Sequence, residues 1–102
     1  MINLISSDSI QTFQELMKKI YFRRDQDRGI DSTFLWLVEE VGELSKAIRN
    51  KDEQNIKEEF GDVIAWLCSL ANLLDINLLE AAYQKYPNKC PKCLKSSCEC
   101  MN

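Results

Sequence analysis

The 102-residue sequence contains no histidine, only three glycines and two prolines, and no long apolar run. Without histidine, Ser-His-Asp and Cys-His catalysis, His-ligated zinc sites and the Glu-x-x-His di-iron motif are excluded. No apolar stretch is long enough to cross a membrane, and residues 1–8 lack the basic region and apolar core of a signal peptide. We therefore expect a cytoplasmic protein with no membrane partner. Any catalysis must use carboxylates, metal ions, lysine, arginine or cysteine.

Charge and cysteine content divide the chain into two parts. The whole chain has 16 acidic and 13 basic side chains, and this net charge of −3 argues against a nucleic-acid partner bound through its phosphates. Residues 1–87 are acidic and are interpreted as one domain. Residues 88–102 hold four of the five cysteines and three lysines, so this segment is a candidate zinc knuckle.

Apolar residues recur every three or four positions in four successive stretches, and strand signals are nearly absent, which predicts an all-α fold. Helices are expected over about residues 9–23, 32–49 and 53–74. A shorter fourth helix is capped by Asn77 and ends before Pro87. The expected architecture is a compact, four-helix bundle-type domain whose second and third helices form a central antiparallel hairpin.

The polar segment 25–29 is predicted to be a linker, and Asp31 or Ser32 is expected to cap the second helix. The strongest apolar stripe of that helix is predicted to face the core. Its members are Phe34, Leu37, Val38, Val41, Leu44 and Ile48. A small chain with so wide a stripe gains stability by pairing with further copies, so we expect a homodimer or homotetramer.

Each helix of the hairpin carries an acidic cluster, EEVGE at 39–43 and EEFGD at 58–62. On a helical wheel, two acids of each cluster lie at the rim of the apolar stripe, whereas Glu39 and Glu58 point toward solvent. The rim residues are Glu40, Glu43, Glu59 and Asp62. The interior glycines, Gly42 and Gly61, are explained either by close approach of a helix or ligand or by ordinary packing.

An antiparallel hairpin that turns about Lys51 brings the two acidic clusters together. The pairs predicted by this register are Glu40 with Asp62, Glu43 with Glu59, and Trp36 with Trp66. Four carboxylates at close quarters need a compensating charge, and oxygen ligands suit hard cations such as Mg²⁺ or Mn²⁺. The alternative interpretation is a solvated acidic helix face, but both acidic pairs lie at the core rim rather than opposite it.

These acidic motifs resemble those of a known family. The spaced pair EEVGE and EEFGD fits the EExxE…ExxD signature of MazG-like nucleotide pyrophosphohydrolases, within the all-α NTP pyrophosphatase superfamily. The phrases RGIDSTFLWLVEEVGELSKAI and DVIAWLCSLANLLDIN are also similar to that family. The resemblance extends over about residues 10–87 and does not include the cysteine tail.

The resemblance implies Mg²⁺-dependent hydrolysis of a nucleoside triphosphate to the monophosphate and pyrophosphate. It assigns metal ligation to Glu40, Glu43, Glu59 and Asp62. Glu39 matches the first glutamate of the signature and would orient water or a metal ligand. Bound ions would bridge the phosphate oxygens and present the attacking water.

The substrate-binding residues are less strongly specified. Trp36 or Trp66 could stack on a base, and the alternative is that both are core or interface aromatics. Asn72 and Lys85 lie in stretches that contribute to sites of the family. Six cations are candidates for phosphate binding, with solvated surface charge as the alternative: Arg23, Arg24, Arg28, Lys46, Arg49 and Lys57.

The cysteines fall into one isolated residue and one cluster. Cys68 lies in the apolar run of the third helix, which predicts a buried thiol. Cys90 and Cys93 form a CPxC knuckle, and Cys98 and Cys100 follow closely. Four thiolates in this spacing predict a structural Zn²⁺ site, with disulfides or a reduced, disordered tail as alternatives.

Two other functions remain open from the sequence. A phosphoribosyl-ATP-type pyrophosphohydrolase would use the same superfamily chemistry on a different nucleotide. A non-catalytic helical adaptor would use the zinc-bound tail as its contact module. Binding of Mg²⁺ and nucleotide distinguishes an enzyme from an adaptor, because a ligand that binds only the native state raises the melting temperature.

Overall fold

The computed structural model describes residues 9–101. In this range the chain forms four α-helices and no strand: α1 (Ile10–Arg28), α2 (Ile30–Arg49), α3 (Glu53–Leu73) and α4 (Leu78–Lys85). The all-α prediction is confirmed. Residues 1–8, on which the argument against a signal peptide rests, lie outside the described range, as does Asn102.

Three of the four helices begin at a side-chain cap. Ser9 Oγ accepts a hydrogen bond from the Thr12 amide at 3.1 Å, and the Asp52 carboxylate accepts one from the Asn55 amide at 3.2 Å. The predicted cap of α4 is confirmed, because Asn77 accepts from the amide three residues on at 2.9 Å. Each cap satisfies an amide that has no partner within its helix.

The predicted linker at 25–29 is wrong, because α1 continues to Arg28 and the turn consists of Gly29 alone. Gly29 has a φ of 90°, which glycine adopts without the steric cost that other residues meet. It also precedes α2, so Asp31 and Ser32 lie inside the helix instead of capping it. The short turn keeps the last part of α1 against α2 and α3.

The predicted core face of α2 is also wrong, by about one residue of rotation. Phe34 and Val38 are each 51% exposed, whereas Thr33 is 0% and Ala47 1% exposed. The residues that point inward follow the spacing Thr33, Leu37, Glu40, Leu44 and Ala47. Glu40 therefore lies in the middle of the inward face of α2, between half-buried leucines, and not at its edge.

α2 and α3 make the most extensive contact, as the predicted hairpin requires, and α1 packs mainly on α3. A buried polar network joins α1 to the α3–α4 turn. Gln14 donates to Asn72 Oδ1 at 3.0 Å and to the Ile76 carbonyl at 2.7 Å. Gln14 Oε1 accepts from the Leu78 amide at 2.9 Å. Cys68 is fully buried, as predicted, and burial raises the pKa of its thiol.

Between residues 9 and 101, no individual helix combines the length and the apolar character that a membrane crossing requires. α3 and α4 reach that combination only when taken together, and the chain bends by 94° between them.

Candidate active site

The hairpin brings three of the predicted carboxylates together. Glu40 on α2 and the α3 residues Glu59 and Asp62 each place a carboxylate oxygen within 4.8 Å of the other two. Glu43, one turn after Glu40, is exposed and lies outside this group of three, although its charge acts on Glu40. Glu39 is exposed as well. We call Glu40, Glu59 and Asp62 the acidic cluster.

Burial and mutual repulsion of the carboxylates disfavour the ionised form of Glu40 in the acidic cluster. The pKa of Glu40 is raised from 4.5 to about 7, first by burial and then by a hydrogen bond to Glu59 that only a protonated carboxyl can donate. The charges of Asp62, Glu59 and Glu43 raise this pKa further. Glu59 Oε1 is buried and has no hydrogen-bond partner. An oxygen-lined position with a buried, unpartnered carboxylate oxygen fits a hard divalent cation.

A pair of stacked indoles lies one turn from the acidic cluster. The rings of Trp36 and Trp66 are stacked, with their centroids 5.8 Å apart and their planes 14° apart, as the hairpin register predicts. Trp36 is 48% exposed. Trp66 is less exposed, and the guanidinium of Arg28 lies 4.6 Å from the centre of its ring.

Arg28 is held in place by neighbours from three helices, including its own. Its Nη1 donates to Asp25 Oδ1 at 2.7 Å, and a weaker contact reaches Thr33 Oγ1 at 3.4 Å. Asp25 is 1% exposed, and its Oδ2 has no hydrogen-bond partner. Stacking on Trp66 adds a cation–π contact. Arg28 is thus fixed beside the acidic cluster instead of extending freely into solvent.

These groups surround a cleft of about 440 Å³, which is large enough for a small ligand. Its walls combine two carboxylates of the acidic cluster, the stacked indoles, two arginines and a few neutral side chains. The lining residues are Met17, Tyr21, Arg24, Asp25, Arg28, Trp36, Glu40, Asp62, Ala65, Trp66 and Ser69. A cleft lined by carboxylates, guanidinium groups and an aromatic face can bind a metal–phosphate–base ligand.

The other predicted substrate-binding residues lie elsewhere. Asn72 is buried and lines a separate, smaller pocket between α1 and the end of α3. Its side chain also donates a hydrogen bond to the Gln14 carbonyl at 3.2 Å. Lys46 is exposed near the end of α2 and does not line the cleft. Arg49, at the same end, donates to Ser45 Oγ at 2.8 Å.

Sequence reasoning missed the contribution of α1 to this cleft. Apolar periodicity places Asp25 in a linker and does not distinguish Arg28 from the five other candidate cations. The signal was present as a stripe at helical spacing that crosses the polar segment: Gln14, Met17, Tyr21, Asp25 and Arg28. The last members of this stripe are polar, so apolar periodicity alone predicts that the first helix ends near Arg23.

The four tail cysteines also come together. One Sγ from each of Cys90, Cys93, Cys98 and Cys100 lies within 4.8 Å of the others, and none forms a disulfide. The amides of Cys93 and Lys92 lower the pKa of Cys90 to about 6, whereas the neighbouring sulfurs of Cys98 and Cys90 raise the pKa of Cys100 to about 11.

A family model described as the MazG nucleotide pyrophosphohydrolase domain matches residues 28–94, well over half of the chain. The chain belongs to the MazG family. The match includes Arg28, both indoles and the acidic cluster, and it ends between the two cysteine pairs. The resemblance noted in the sequence is thus confirmed. As a MazG domain, the chain is related to metal-dependent nucleotide pyrophosphohydrolases.

One curated relative of this MazG domain is described as uncharacterized protein YpjD of Bacillus subtilis (strain 168). It is 40% identical over a match that covers 44% of this chain and 50% of the relative. The chain therefore spans about half the length of the relative that it matches.

Proposed function

We propose that this MazG domain hydrolyses a (deoxy)nucleoside triphosphate, or a modified nucleotide, to the monophosphate and pyrophosphate with Mg²⁺ or Mn²⁺. The observation that carries the proposal is the buried, unpartnered Glu59 Oε1 within a three-carboxylate cluster beside the cleft. Structural ion pairs do not explain this arrangement, because no basic side chain forms a salt bridge to it in the described range. The membership of the MazG family supports the same chemistry.

In this proposal, Glu40, Glu59 and Asp62 hold the cation, and Glu43 and Glu39 stand at its outer side to bind a second ion or orient water. When bound, the cation would supply charge neutralisation on the phosphates and an activated water. Arg28 and Arg24, which line the same cleft, would bind the phosphate chain. Trp36 would stack on the base with its exposed face, since Trp66 already contacts both Arg28 and Trp36.

The oligomeric state belongs to the same proposal. Large apolar side chains are exposed along α2, on α3 and at the C-cap of α3, and each is between 39% and 57% exposed. They are Ile30, Phe34, Val38, Val41, Ile48, Phe60, Leu67 and Leu74. A stripe that extends over the whole of α2 is suited to pairing with a second copy, as a homodimer or half of a homotetramer. The expected cytoplasmic location and the absence of a nucleic-acid partner fit a nucleotide substrate.

The activity is tested by following pyrophosphate release from canonical and modified nucleotides with Mg²⁺ and with Mn²⁺. We expect Glu59→Gln to abolish turnover, because it removes a charge from the cluster at nearly constant volume. Glu58→Gln is the matched control, since Glu58 is the preceding residue on α3 and is exposed. Turnover of no nucleotide with either metal, or equal loss in both variants, would contradict the proposal.

The same assays distinguish the two alternative functions, a phosphoribosyl-ATP-type enzyme and a non-catalytic adaptor. A phosphoribosyl-ATP-type enzyme would release pyrophosphate only when that nucleotide is supplied. A non-catalytic adaptor would show no turnover and no rise in melting temperature with Mn²⁺ and a non-hydrolysable nucleotide. The acidic cluster favours an enzyme over an adaptor, because a surface that served only as a contact would have no reason to bury an unpartnered carboxylate oxygen.

A further inference from the structure

The tail that follows α4 contains a compact cluster of four sulfurs, well separated in sequence from the acidic cluster. The Sγ atoms of Cys90 and Cys100 are 3.7 Å apart. This separation is far too long for a disulfide, whose sulfurs lie about 2.05 Å apart. Sulfurs at the corners of a tetrahedron around Zn²⁺, each about 2.3 Å from the ion, lie about 3.8 Å from one another. The observed spacing therefore matches a tetrathiolate metal site.

The backbone around the sulfurs also has the form of a metal knuckle. The Lys92 amide points to Cys90 Sγ at 3.4 Å, and the Glu99 amide points to Cys93 Sγ at 3.4 Å. A third amide, that of Cys100, points to Cys98 Sγ at 3.3 Å. Amide donors of this kind stabilise thiolates and orient them as ligands.

The tail has little else to hold it in one conformation. Residues 90–100 form turns and no helix or strand, and none of their side chains is fully buried. Leu94 adopts a positive φ of 63°, which costs free energy for a residue with a branched side chain. Two backbone hydrogen bonds, from Leu94 to the Cys90 carbonyl and from Cys90 to the Lys95 carbonyl, close the first turn. Ordering such a segment needs a further source of free energy.

We propose that Cys90, Cys93, Cys98 and Cys100 bind one Zn²⁺ as a structural tetrathiolate site that folds the tail. Thiolates are soft ligands and select Zn²⁺ over the hard cations that suit the acidic cluster. Four thiolates and Zn²⁺ carry a net charge of −2, which Lys89, Lys92 and Lys95 offset. The site is separate from the proposed hydrolytic chemistry, so it stands whether or not the chain turns over nucleotides.

The test uses the full chain, purified without chelator from cells supplied with zinc, and elemental analysis of zinc and iron. We expect one zinc per chain in the wild type and loss of that zinc in Cys90→Ser and Cys98→Ser. Cys68→Ala is the matched control and should retain zinc, because Cys68 lies in the core of α3. Far-ultraviolet circular dichroism verifies that all variants keep their helices.

A second measurement identifies the ligands directly. Cobalt added to the apo-protein should give the intense visible bands of tetrahedral tetrathiolate coordination in the wild type and in Cys68→Ala, and these bands should be lost in Cys90→Ser. A zinc ratio near zero together with no cobalt spectrum would overturn the proposal. Iron in place of zinc, or an intact mass that shows tail disulfides in freshly purified protein, would also overturn it.

Discussion

The guanidinium of Arg28 lies 4.6 Å from the centre of the Trp66 ring and is bonded to the buried carboxylate of Asp25 at 2.7 Å. This relationship connects the end of α1 to α3 and sets a positive charge in the wall of the acidic cleft. Arg28 therefore has two consequences, one for the stability of the fold and one for the proposed binding of phosphates.

Replacing Arg28 with alanine should lower the free energy of unfolding by about 3 kcal/mol, because it leaves the Asp25 charge buried without a partner. Urea unfolding measures the change. Arg23→Ala is the control, since Arg23 is exposed on the same helix, and we expect it to stay within about 0.5 kcal/mol of the wild type. Equal effects of the two substitutions would show that the Arg28–Asp25 pair does not stabilise the fold.

Metal-free protein should lose stability as the pH rises from about 4.5 to about 7. Glu40 has a pKa near 7 in the folded chain and 4.5 when unfolded, so the folded state binds more protons in this window. The free-energy cost of ionising Glu40 in the folded chain is absent below this pH window and fully present above it. Melting temperatures measured with chelator should therefore decline less with pH in Glu40→Gln than in the wild type. Glu39→Gln changes an exposed neighbour, and its melting temperature should decline with pH as that of the wild type does. If the melting temperature of Glu40→Gln declined as steeply as that of the wild type, Glu40 would not be the cause of the pH dependence.

Removing the side-chain amide of Gln14 should destabilise the fold by about 1–3 kcal/mol, because Asn72 and the Leu78 amide lose buried hydrogen-bond partners. The measurement is chemical unfolding of Gln14→Ala. Gln11→Ala, one turn earlier on α1 and exposed, should have little effect. A loss no larger than that of Gln11→Ala would mean that water replaces the network at no cost.

Gly42→Ala should raise the free energy of unfolding by about 1 kcal/mol, because a helix interior favours alanine. A Cβ at Gly42 meets nothing within 4 Å, so no close approach within the chain requires glycine. The same holds for Gly61. Thermal unfolding of each variant checks the gain. A loss of stability would indicate that a second copy occupies the space beside the glycine.

The wild-type chain should sediment as a dimer or tetramer of the 11.9 kDa protomer. Val38→Glu introduces a charge into the exposed stripe of α2 and should shift the mass toward that of the monomer at equal concentration. Gln26→Glu, an equal change of charge on an exposed position of α1, should leave the mass unchanged. A monomeric wild type would contradict the proposed pairing.

The acidic cluster could be predicted from the sequence because its residues lie on two helices that are joined by a short turn. Helical periodicity predicts the positions of α2 and α3 to within about two residues, and the short turn at Lys51 predicts the register of the hairpin to within a residue or two. That register placed Trp36 opposite Trp66, and the structure has the two rings stacked. The tail cysteines were likewise predictable as a group, because they are close together in the chain.

The rotation of α2 and the length of α1 could not be predicted in this way. Hydrophobicity indicates which residues leave water, but it does not say whether they pack within the chain or against another surface. Phe34 and Val38 lie on the outer side of the chain although they are apolar, whereas the smaller Thr33 and Ala47 are buried.

By itself, the sequence determined the helices, the pairing of α2 with α3, the membership of the MazG family and the grouping of carboxylates and cysteines. The tertiary structure decided that Glu40 lies on the inward face, that Glu59 keeps a buried oxygen without a partner, and that Asp25 and Arg28 complete the cleft. The physical reason is that burial and electrostatic environment depend on contacts between distant residues. The stripe from Gln14 to Arg28 indicates which face of α1 carries Asp25, but only the packing of the helices decides that this face is buried.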